Sequence, residues 1–327
     1  MRPVNRHLVQ PLRAFLGSFW APTPASMRLW AAASVVVNAG ITVTGAAVRV
    51  TGSGLGCPTW PQCTPESFVP AHNDVHSPVN MAIEFGNRLL TFLVLTVAVA
   101  GLVAALRLAR RRPVLVRLAA LLPAGVVAQA LWGGLVVRSA LNPVTVSVHF
   151  LISIGMIAAA CALYARASEG DGPVVRLVHR DIRTLGLVLT AAVAVLLVAG
   201  VVVTGTGPHS GDEAATRFAF DIETVARIHA DLVWAVVGIT FALIFALHLT
   251  RAPWQVRRAA LVLFAVELAQ GVIGYVQYFL AVPAFLVGLH VLGATLVWIA
   301  TLRVVALTRS RGPLDAAAEN LLAEARV

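Results

Sequence analysis

The segment MAIEFGNRLLTFLVLTVAVAGLVAAL, residues 81–106, is apolar over a length that decides the fold class. A helix of about 20 apolar residues crosses about 30 Å of hydrocarbon. Seven further segments share this character, and the chain is 58% hydrophobic but only 12% charged. The sequence therefore predicts an all-α integral membrane protein in the lipid bilayer. Its eight predicted spans are 27–48, 81–106, 118–138, 144–165, 185–204, 222–249, 259–280 and 284–306.

Charge alternates between the loops. The net charge of +10 would suit a nucleic-acid-binding protein, but arginine is concentrated in loops 107–117, 166–183 and 251–258. Loops 49–80 and 205–221 carry most of the acidic loop residues. By the positive-inside rule, the Arg-rich loops and both termini are cytoplasmic. The basic charge is thus a topology signal, and we expect a multi-pass protein of the bacterial plasma membrane that binds no nucleic acid.

The two halves of the chain repeat each other. Twenty residues separate Gln129 from His149, and twenty separate Gln270 from His290. Four spans lie between the copies, which predicts a parallel repeat of two pseudo-symmetric four-helix bundles. The other matches are Val43-Thr44-Gly45 with Val203-Thr204-Gly205, Ala128 with Ala269, and Ile83-Glu84 with Ile222-Glu223, each Glu being followed four residues later by Arg88 or Arg227. The predicted domains are a cytoplasmic segment 1–26, an N-terminal bundle 27–166 with outer loop 49–80, a cytoplasmic linker 167–184, a C-terminal bundle 185–306 and a cytoplasmic tail 307–327.

Three histidines inside the spans lie at one depth. His149, His229 and His290 are about five to seven residues into spans that all enter from the outer face, which places them in a layer roughly 8–10 Å below that surface. Polar groups at such positions are costly and usually functional. Two histidines facing each other at equal depth, as predicted for His229 and His290, suit an iron porphyrin bound at both axial positions. The alternative is that each histidine only hydrogen-bonds a neighbouring helix; the recurrence of the layer with the repeat favours haem.

The N-terminal bundle differs at one position. His149 is the repeat partner of His290, but Asn87 occupies the position facing it, with Glu84 one turn earlier and Arg88 adjacent. Asparagine is a poor iron ligand, so a haem held by His149 alone would keep one face open. A carboxylate beside an open face favours a chemical site over an electron relay. The alternative for Glu84 is an acid stabilised by the dipole at the start of its helix.

Cys57 and Cys63 lie six residues apart in the first outer loop. An exported loop lies in an oxidising compartment, which favours a disulfide; a redox-active thiol pair and two unpaired thiols are the alternatives. Cys161 is predicted to be a packing residue within a span, and Glu267 to hydrogen-bond in the interior. No role is assigned to His7, His72, His76, His179, His209 and His248.

Two loops and one helix start resemble the haem A synthase family. VRVTGSGLGCPTWPQC over residues 48–63 and IEFGNR over residues 83–88 look like the family's first outer loop and the start of its second span. TGTGPHSGD over residues 204–212 is similar to its second outer loop. The likeness extends over about residues 27–306, and the Cys-Pro-x-Trp-Pro-x-Cys loop is its most specific element.

The resemblance implies an oxidoreductase. Haem A synthases oxidise the C8 methyl of haem O to the formyl of haem A by two successive hydroxylations, with haem I as the intermediate, for the assembly of haem-copper oxidases. A haem O synthase is the expected upstream partner. The family's site residues fall on Glu84, His149, His229, His290, Cys57 and Cys63. Of these, the resemblance assigns His229 and His290 to a haem b iron and His149 to the substrate haem.

One position departs from the family pattern. The family's other N-terminal histidine, three residues after the Glu, would fall on Asn87, so binding of the substrate iron by two histidines is not implied. We expect His149, Asn87 and Arg88 to form the substrate-haem site, with Glu84 steering or deprotonating a water or intermediate near the C8 carbon. A b-type cytochrome that only transfers electrons would explain His229 and His290 but not this asymmetry. A transporter would place its polar groups near the bilayer midplane, between broken helices.

Overall fold

Eight long helices make up most of the structure, a computed structural model that describes residues 21–71, 77–108 and 112–314. By length and composition, each of these helices is able to cross a membrane. The eight predicted spans coincide with them, and only span 259–280 runs one residue past its helix. In chain order the helices are α1 Pro24–Val50, α2 Pro78–Arg107, α3 Pro113–Arg138, α4 Pro143–Ala167, α5 Arg180–Thr206, α6 Ile222–Leu249, α7 Trp254–Phe279 and α8 Ala284–Leu307.

Proline and side-chain caps set where several helices begin. Proline opens α1, α2, α3 and α4, where its missing N–H would have no intrahelical partner. Before α1 and α2, the hydroxyls of Thr23 and Ser77 accept a backbone N–H from the first turn. Asp221 does the same for α6 with its carboxylate. These starts fix the register that carries the membrane histidines.

The helices form the two predicted four-helix bundles. In the first bundle α1–α4, and in the second α5–α8, each helix packs against two neighbours of its own bundle. The bundles meet where α8 contacts α1 and α4, and where α4 contacts α5. At this junction the indole N–H of Trp298 donates to the carbonyl of Ile154 across 3.0 Å. Each bundle has its own apolar core.

The connections between the last two helices of each bundle share one conformation. Ala140 and Leu141 between α3 and α4 have φ angles of 49° and 57°, and Ala281 and Val282 between α7 and α8 have 58° and 61°. Non-glycine residues seldom adopt positive φ, so a matching pair at matching positions supports the repeat in the backbone itself.

The two ends of the molecule differ. We call the end that carries the described residues 51–71 and 77 (the first loop) and 207–221 (the second loop) the loop face, and the opposite end the arginine face. At the loop face, the Gly54 N–H donates to the Gly211 carbonyl at 2.8 Å. The two loops therefore lie against each other above the junction of the bundles.

At the arginine face the segment between the bundles pairs with the chain end. Strands β1 Val175–Arg176 and β2 Arg309–Ser310 form one antiparallel pair. The buried Arg112 donates from Nε to Asp171 at 2.9 Å and from Nη2 to the Glu169 carbonyl at 2.7 Å. Partial burial acts to raise the pKa of Asp171, but hydrogen bonds and charge from Arg112 and Arg166 hold that pKa below its ordinary value. These contacts join the arginine-face ends of the two bundles. The predicted segments 1–26 and 307–327 fall largely outside the described residues.

Candidate functional site

His229 on α6 and His290 on α8 face each other inside the second bundle. Their ring centroids are 6.4 Å apart, and the ring planes make an angle of 61°. Two metal–nitrogen bonds of about 2 Å each, together with the distance from each nitrogen to its ring centre, give a centroid separation of about 6 Å. The spacing therefore fits one metal ion bound between the two rings.

The hydrogen bonding of the histidines also fits ligands. Nδ1 of His149, His229 and His290 is buried and makes no hydrogen bond of good geometry within the part of the chain that the structure describes. For His229, the Leu196 carbonyl on α5 lies near the ring, but in poor alignment. Buried polar atoms are usually satisfied. Nδ1 of each ring thus makes no well-aligned hydrogen bond to a neighbouring helix, the contact that a purely structural role would use.

Glycines on the adjacent helices make room for these rings. A Cβ at Gly200 on α5 would lie 3.2 Å from Cε1 of His229, and one at Gly274 on α7 would lie 3.3 Å from Cε1 of His290. In the first bundle, a Cβ at Gly133 on α3 would lie 3.5 Å from Cε1 of His149. Each histidine therefore packs against a helix that has no side chain at that level. The sequence analysis missed these glycines, although Gly133 and Gly274 have the same spacing as Gln129 and Gln270.

The first bundle differs from the second at Gly40 and at Asn87, the residue predicted to face His149. Gly40 on α1 has the same spacing from Gly200 as Thr44 has from Thr204, yet a Cβ there would meet nothing within 4 Å among the described residues. Asn87 on α2 accepts a hydrogen bond through Oδ1 from the Thr44 hydroxyl at 2.7 Å. Gly40 is thus exposed and contacts no described histidine in the way that Gly200 does, while Asn87 is tied to α1.

Glu84 lies at the start of α2, beneath the first loop, and is 6% exposed. Its Oε2 accepts the Cys57 N–H at 2.6 Å, and its Oε1 accepts Nη2 of Arg88 at 2.5 Å and Nε at 3.1 Å. Arg88 also donates to the carbonyls of Cys57, Thr59 and Gln62 at 2.8–3.0 Å. The pair therefore holds the loop on the helix, a role that the sequence analysis did not assign to either residue.

Glu223, the sequence counterpart of Glu84, has a different environment. Its side chain is exposed at the start of α6, and Arg227 four residues later is exposed as well. Within the described residues neither one makes a side-chain hydrogen bond to a loop. The likeness of these two short motifs therefore does not extend to their contacts.

Cys57 and Cys63 form a disulfide in the first loop. Their exposures are 0% and 1%, and they pack on Met81 and Phe85 of α2. A Cβ at Gly56 would lie 2.6 Å from the Asn80 carbonyl oxygen, so glycine lets the loop lie this close to the start of α2. A thiol from solution reaches this disulfide only when the loop opens.

A sequence model of one protein family, described as cytochrome oxidase assembly protein (COX15-CtaA), matches residues 28–302. The match covers more than half of the chain; it begins within α1 and ends within α8. The chain belongs to the COX15-CtaA family. This is the family of haem A synthases, which are oxidoreductases that bind haem and act in cytochrome oxidase assembly. No curated protein matches the chain.

In this COX15-CtaA protein, Arg49 and His209 connect the two bundles at the loop face. Arg49 at the end of α1 donates from Nε to the His209 carbonyl at 2.6 Å and from Nη2 to the Thr204 carbonyl at 2.9 Å. Nε2 of His209 lies 2.8 Å from the Val282 carbonyl. His209, to which no role was assigned, therefore helps to hold the two bundles of this family member together above the histidine layer.

The other polar residues singled out by sequence lie away from this layer. Glu267 accepts the Thr240 hydroxyl at 2.8 Å through Oε1, which confirms the predicted interior hydrogen bond. Cys161 is a free thiol packed against the core of the second bundle, and His179 caps α5. His7, His72 and His76 lie outside the described residues.

Proposed function

We propose that this chain is a haem A synthase that oxidises the C8 methyl of haem O to the formyl of haem A through two successive hydroxylations. The observation that carries the proposal is the unequal pair of bundles. One bundle has two opposed histidines at the spacing of a doubly ligated metal, and the other has His149 without an opposed histidine among the described residues, with Asn87 predicted to face it. Both lie below loops at the same face, and the chain belongs to the haem A synthase family.

The second bundle is proposed to retain a haem b. His229 and His290 would hold its iron, and Gly200 and Gly274 give their rings room to lie against α5 and α7. The group supplies one-electron chemistry when bound. The protein contributes the fixed ligand pair and the apolar bundle that keeps water away from it.

The first bundle is proposed to bind the substrate. His149 would hold the iron of haem O, and Asn87 would face the opposite side without ligating it. Because the Thr44 hydroxyl donates to Oδ1 of Asn87, the N–H groups of this amide would be left to donate to the bound substrate. A substrate held by one histidine also leaves more readily than a group held by two, as release of product requires.

Glu84 and Arg88 are proposed to act from the loop-face side of the substrate site. Each oxygen of a carboxylate accepts more than one hydrogen bond, so Glu84 is able to steer or deprotonate a water or intermediate near the C8 carbon while it holds the Cys57 N–H. Arg88 fixes that carboxylate. The Cys57–Cys63 disulfide closes the first loop over the site.

We also propose where in the cell this site lies. With the Arg-rich loops in the cytoplasm, the loop face and the histidine layer lie on the outer side of the bacterial plasma membrane. Haem O, made by a haem O synthase, would enter the first bundle from the membrane. Haem A would pass to the assembly of a haem-copper oxidase.

The test is haem analysis of cells that make this chain together with a haem O synthase. Extracted haems are separated by chromatography, with haem O synthase alone and the variant His149→Ala as controls. We expect haem A or haem I only with the unchanged chain. If a folded, haem-loaded protein yields only haem B and haem O, the chain is an electron-transfer cytochrome b and the proposal is wrong.

A further inference from the structure

Two glutamines, one in each bundle, donate to the backbone carbonyl of a histidine on the next helix. Nε2 of Gln270 on α7 lies 2.7 Å from the carbonyl oxygen of His290 on α8. Nε2 of Gln129 on α3 lies 3.2 Å from the carbonyl oxygen of His149 on α4. The equal spacing of these pairs in the sequence therefore corresponds to one contact made twice.

The contact acts on the histidine itself. A helical carbonyl already accepts the N–H four residues later, so the glutamine adds a second donor from a neighbouring helix. Hydrogen bonds between helices hold membrane bundles together where apolar packing alone has little preference. An imidazole is joined to its backbone through two rotatable bonds, so fixing the carbonyl of His290 limits where its ring lies.

The surroundings of Gln270 are shaped for this bond. A Cβ at Gly293 would overlap the Gln270 amide and lie 2.7 Å from its Cδ, so glycine at this position of α8 admits the side chain. In the first bundle, Gln129 also donates to the Ser153 hydroxyl at 2.5 Å. The two bundles thus reach the same carbonyl by different local packing.

Each glutamine leaves its amide oxygen without a hydrogen bond when it makes this contact. Oε1 of both Gln129 and Gln270 is buried without a hydrogen-bond partner among the described residues. A buried unsatisfied amide oxygen destabilises a fold. A leucine would fill the same volume without that cost, which argues that the amide N–H is what each position uses.

We propose that Gln270 and Gln129 are positioning residues that set the placement of the iron-binding histidines His290 and His149. The inference rests on the proposed function, since it takes these histidines as haem ligands. It adds that the ligand geometry is fixed from the helix beside each ligand, through the ligand's own carbonyl. Gln270 fixes the position of the histidine that holds the retained haem of the second bundle. Gln129 fixes the position of the histidine that holds the substrate haem of the first.

The test compares Gln270→Leu with Gln277→Leu in the full-length purified protein. Gln277 is on the same helix and also has a buried, unpartnered Oε1, but its side chain makes no hydrogen bond to His290 in the described structure. Ferric low-spin electron paramagnetic resonance spectra and the rate of haem transfer to a scavenging apoprotein are measured. We expect Gln270→Leu to shift the g-values and to release haem about 3- to 10-fold faster, the effect of one hydrogen bond between helices. Gln277→Leu leaves both unchanged.

A double-mutant cycle separates positioning from a loss of packing. Gly293→Ala displaces the Gln270 amide, so it reproduces the spectral shift in the unchanged background and adds little to Gln270→Ala. Additive effects, or a Gln270→Leu spectrum equal to that of Gln277→Leu, would overturn the inference. A parent protein without a doubly ligated haem would instead refute the proposed function.

Discussion

Replacing Glu84 with glutamine tests how the first loop is held. The substitution keeps an acceptor for the Cys57 N–H but removes the charge that Arg88 binds. Two hydrogen bonds from Arg88 to Glu84, at 2.5 and 3.1 Å, lose their anionic acceptor. The side chains of Arg88 and Glu84 are 22% and 8% exposed, so solvent compensates little.

The magnitude follows from these contacts. Hydrogen bonds to charged groups contribute about 1.5–3 kcal/mol each, and breaking a buried ion pair costs about 3–5 kcal/mol. Arg88 keeps three carbonyl partners in the loop, so we take about 3 kcal/mol as the loss. If loop opening exposes the disulfide and closing is fast, the open population rises by about 100-fold.

The assay is the rate at which a dithiol reduces Cys57–Cys63, followed by alkylation of the thiols and a gel shift. Both cysteines are almost fully buried, so reduction reports on loop opening. The matched control is Glu223→Gln, which changes the exposed sequence counterpart of Glu84. A rate within about 3-fold of the parent would refute the conclusion that the ion pair holds the loop. If haem A yield stays normal in Glu84→Gln, the proposed proton-transfer role of Glu84 is wrong as well.

Three further predictions concern the bundles and their junction. Asn87→His should give a second doubly ligated low-spin haem in absorption spectra, because it supplies a second imidazole to the iron that His149 is proposed to hold. The same change should slow product release, and an unchanged spectrum would argue against a haem facing this position. Gly200→Ala should displace the ring of His229 by a few tenths of an ångström and lower haem occupancy, whereas Gly40→Ala should leave the occupancy of the second bundle at the parent level. Asp171→Asn should lower the thermal unfolding temperature at neutral pH. The pKa of this carboxyl is depressed in the folded protein, so its contribution to the free energy of unfolding is present above about pH 4 and is lost as the pH falls through the folded pKa. A difference in unfolding temperature between parent and variant that persists at low pH would rule out the ion pairs as its cause.

The sequence predicts the helices and their grouping because these depend on local and periodic properties. Hydropathy over about 20 residues locates a span without reference to its neighbours. The equal spacing of Gln129 to His149 and of Gln270 to His290 revealed the repeat. The layer of histidines followed from the position of each residue along its helix, and the structure brings His229 and His290 face to face as that layer requires.

The contacts of the loops could not be predicted from the sequence. Nothing local distinguishes Glu84 and Arg88 from Glu223 and Arg227, yet one pair is buried under a loop and the other is exposed. The difference comes from the first loop folding back onto α2, which is a tertiary event.

The two bundles share the contacts that hold their buried histidines and differ in the parts proposed to govern access to them. Glycines beside the histidines, glutamines that donate to the histidine carbonyls and left-handed turns between the last two helices recur in both. Asn87 and the buried disulfide loop occur in the first bundle alone among the described residues. The Thr44 hydroxyl lies 2.7 Å from Oδ1 of Asn87 and 3.2 Å from the Ile41 carbonyl of its own helix, whereas its counterpart Thr204 donates only within its own helix among the described residues. A retained cofactor needs closed coordination, and a substrate needs a ligand set that opens and a cover that moves. The differences are concentrated where a bundle that exchanges its haem would need them.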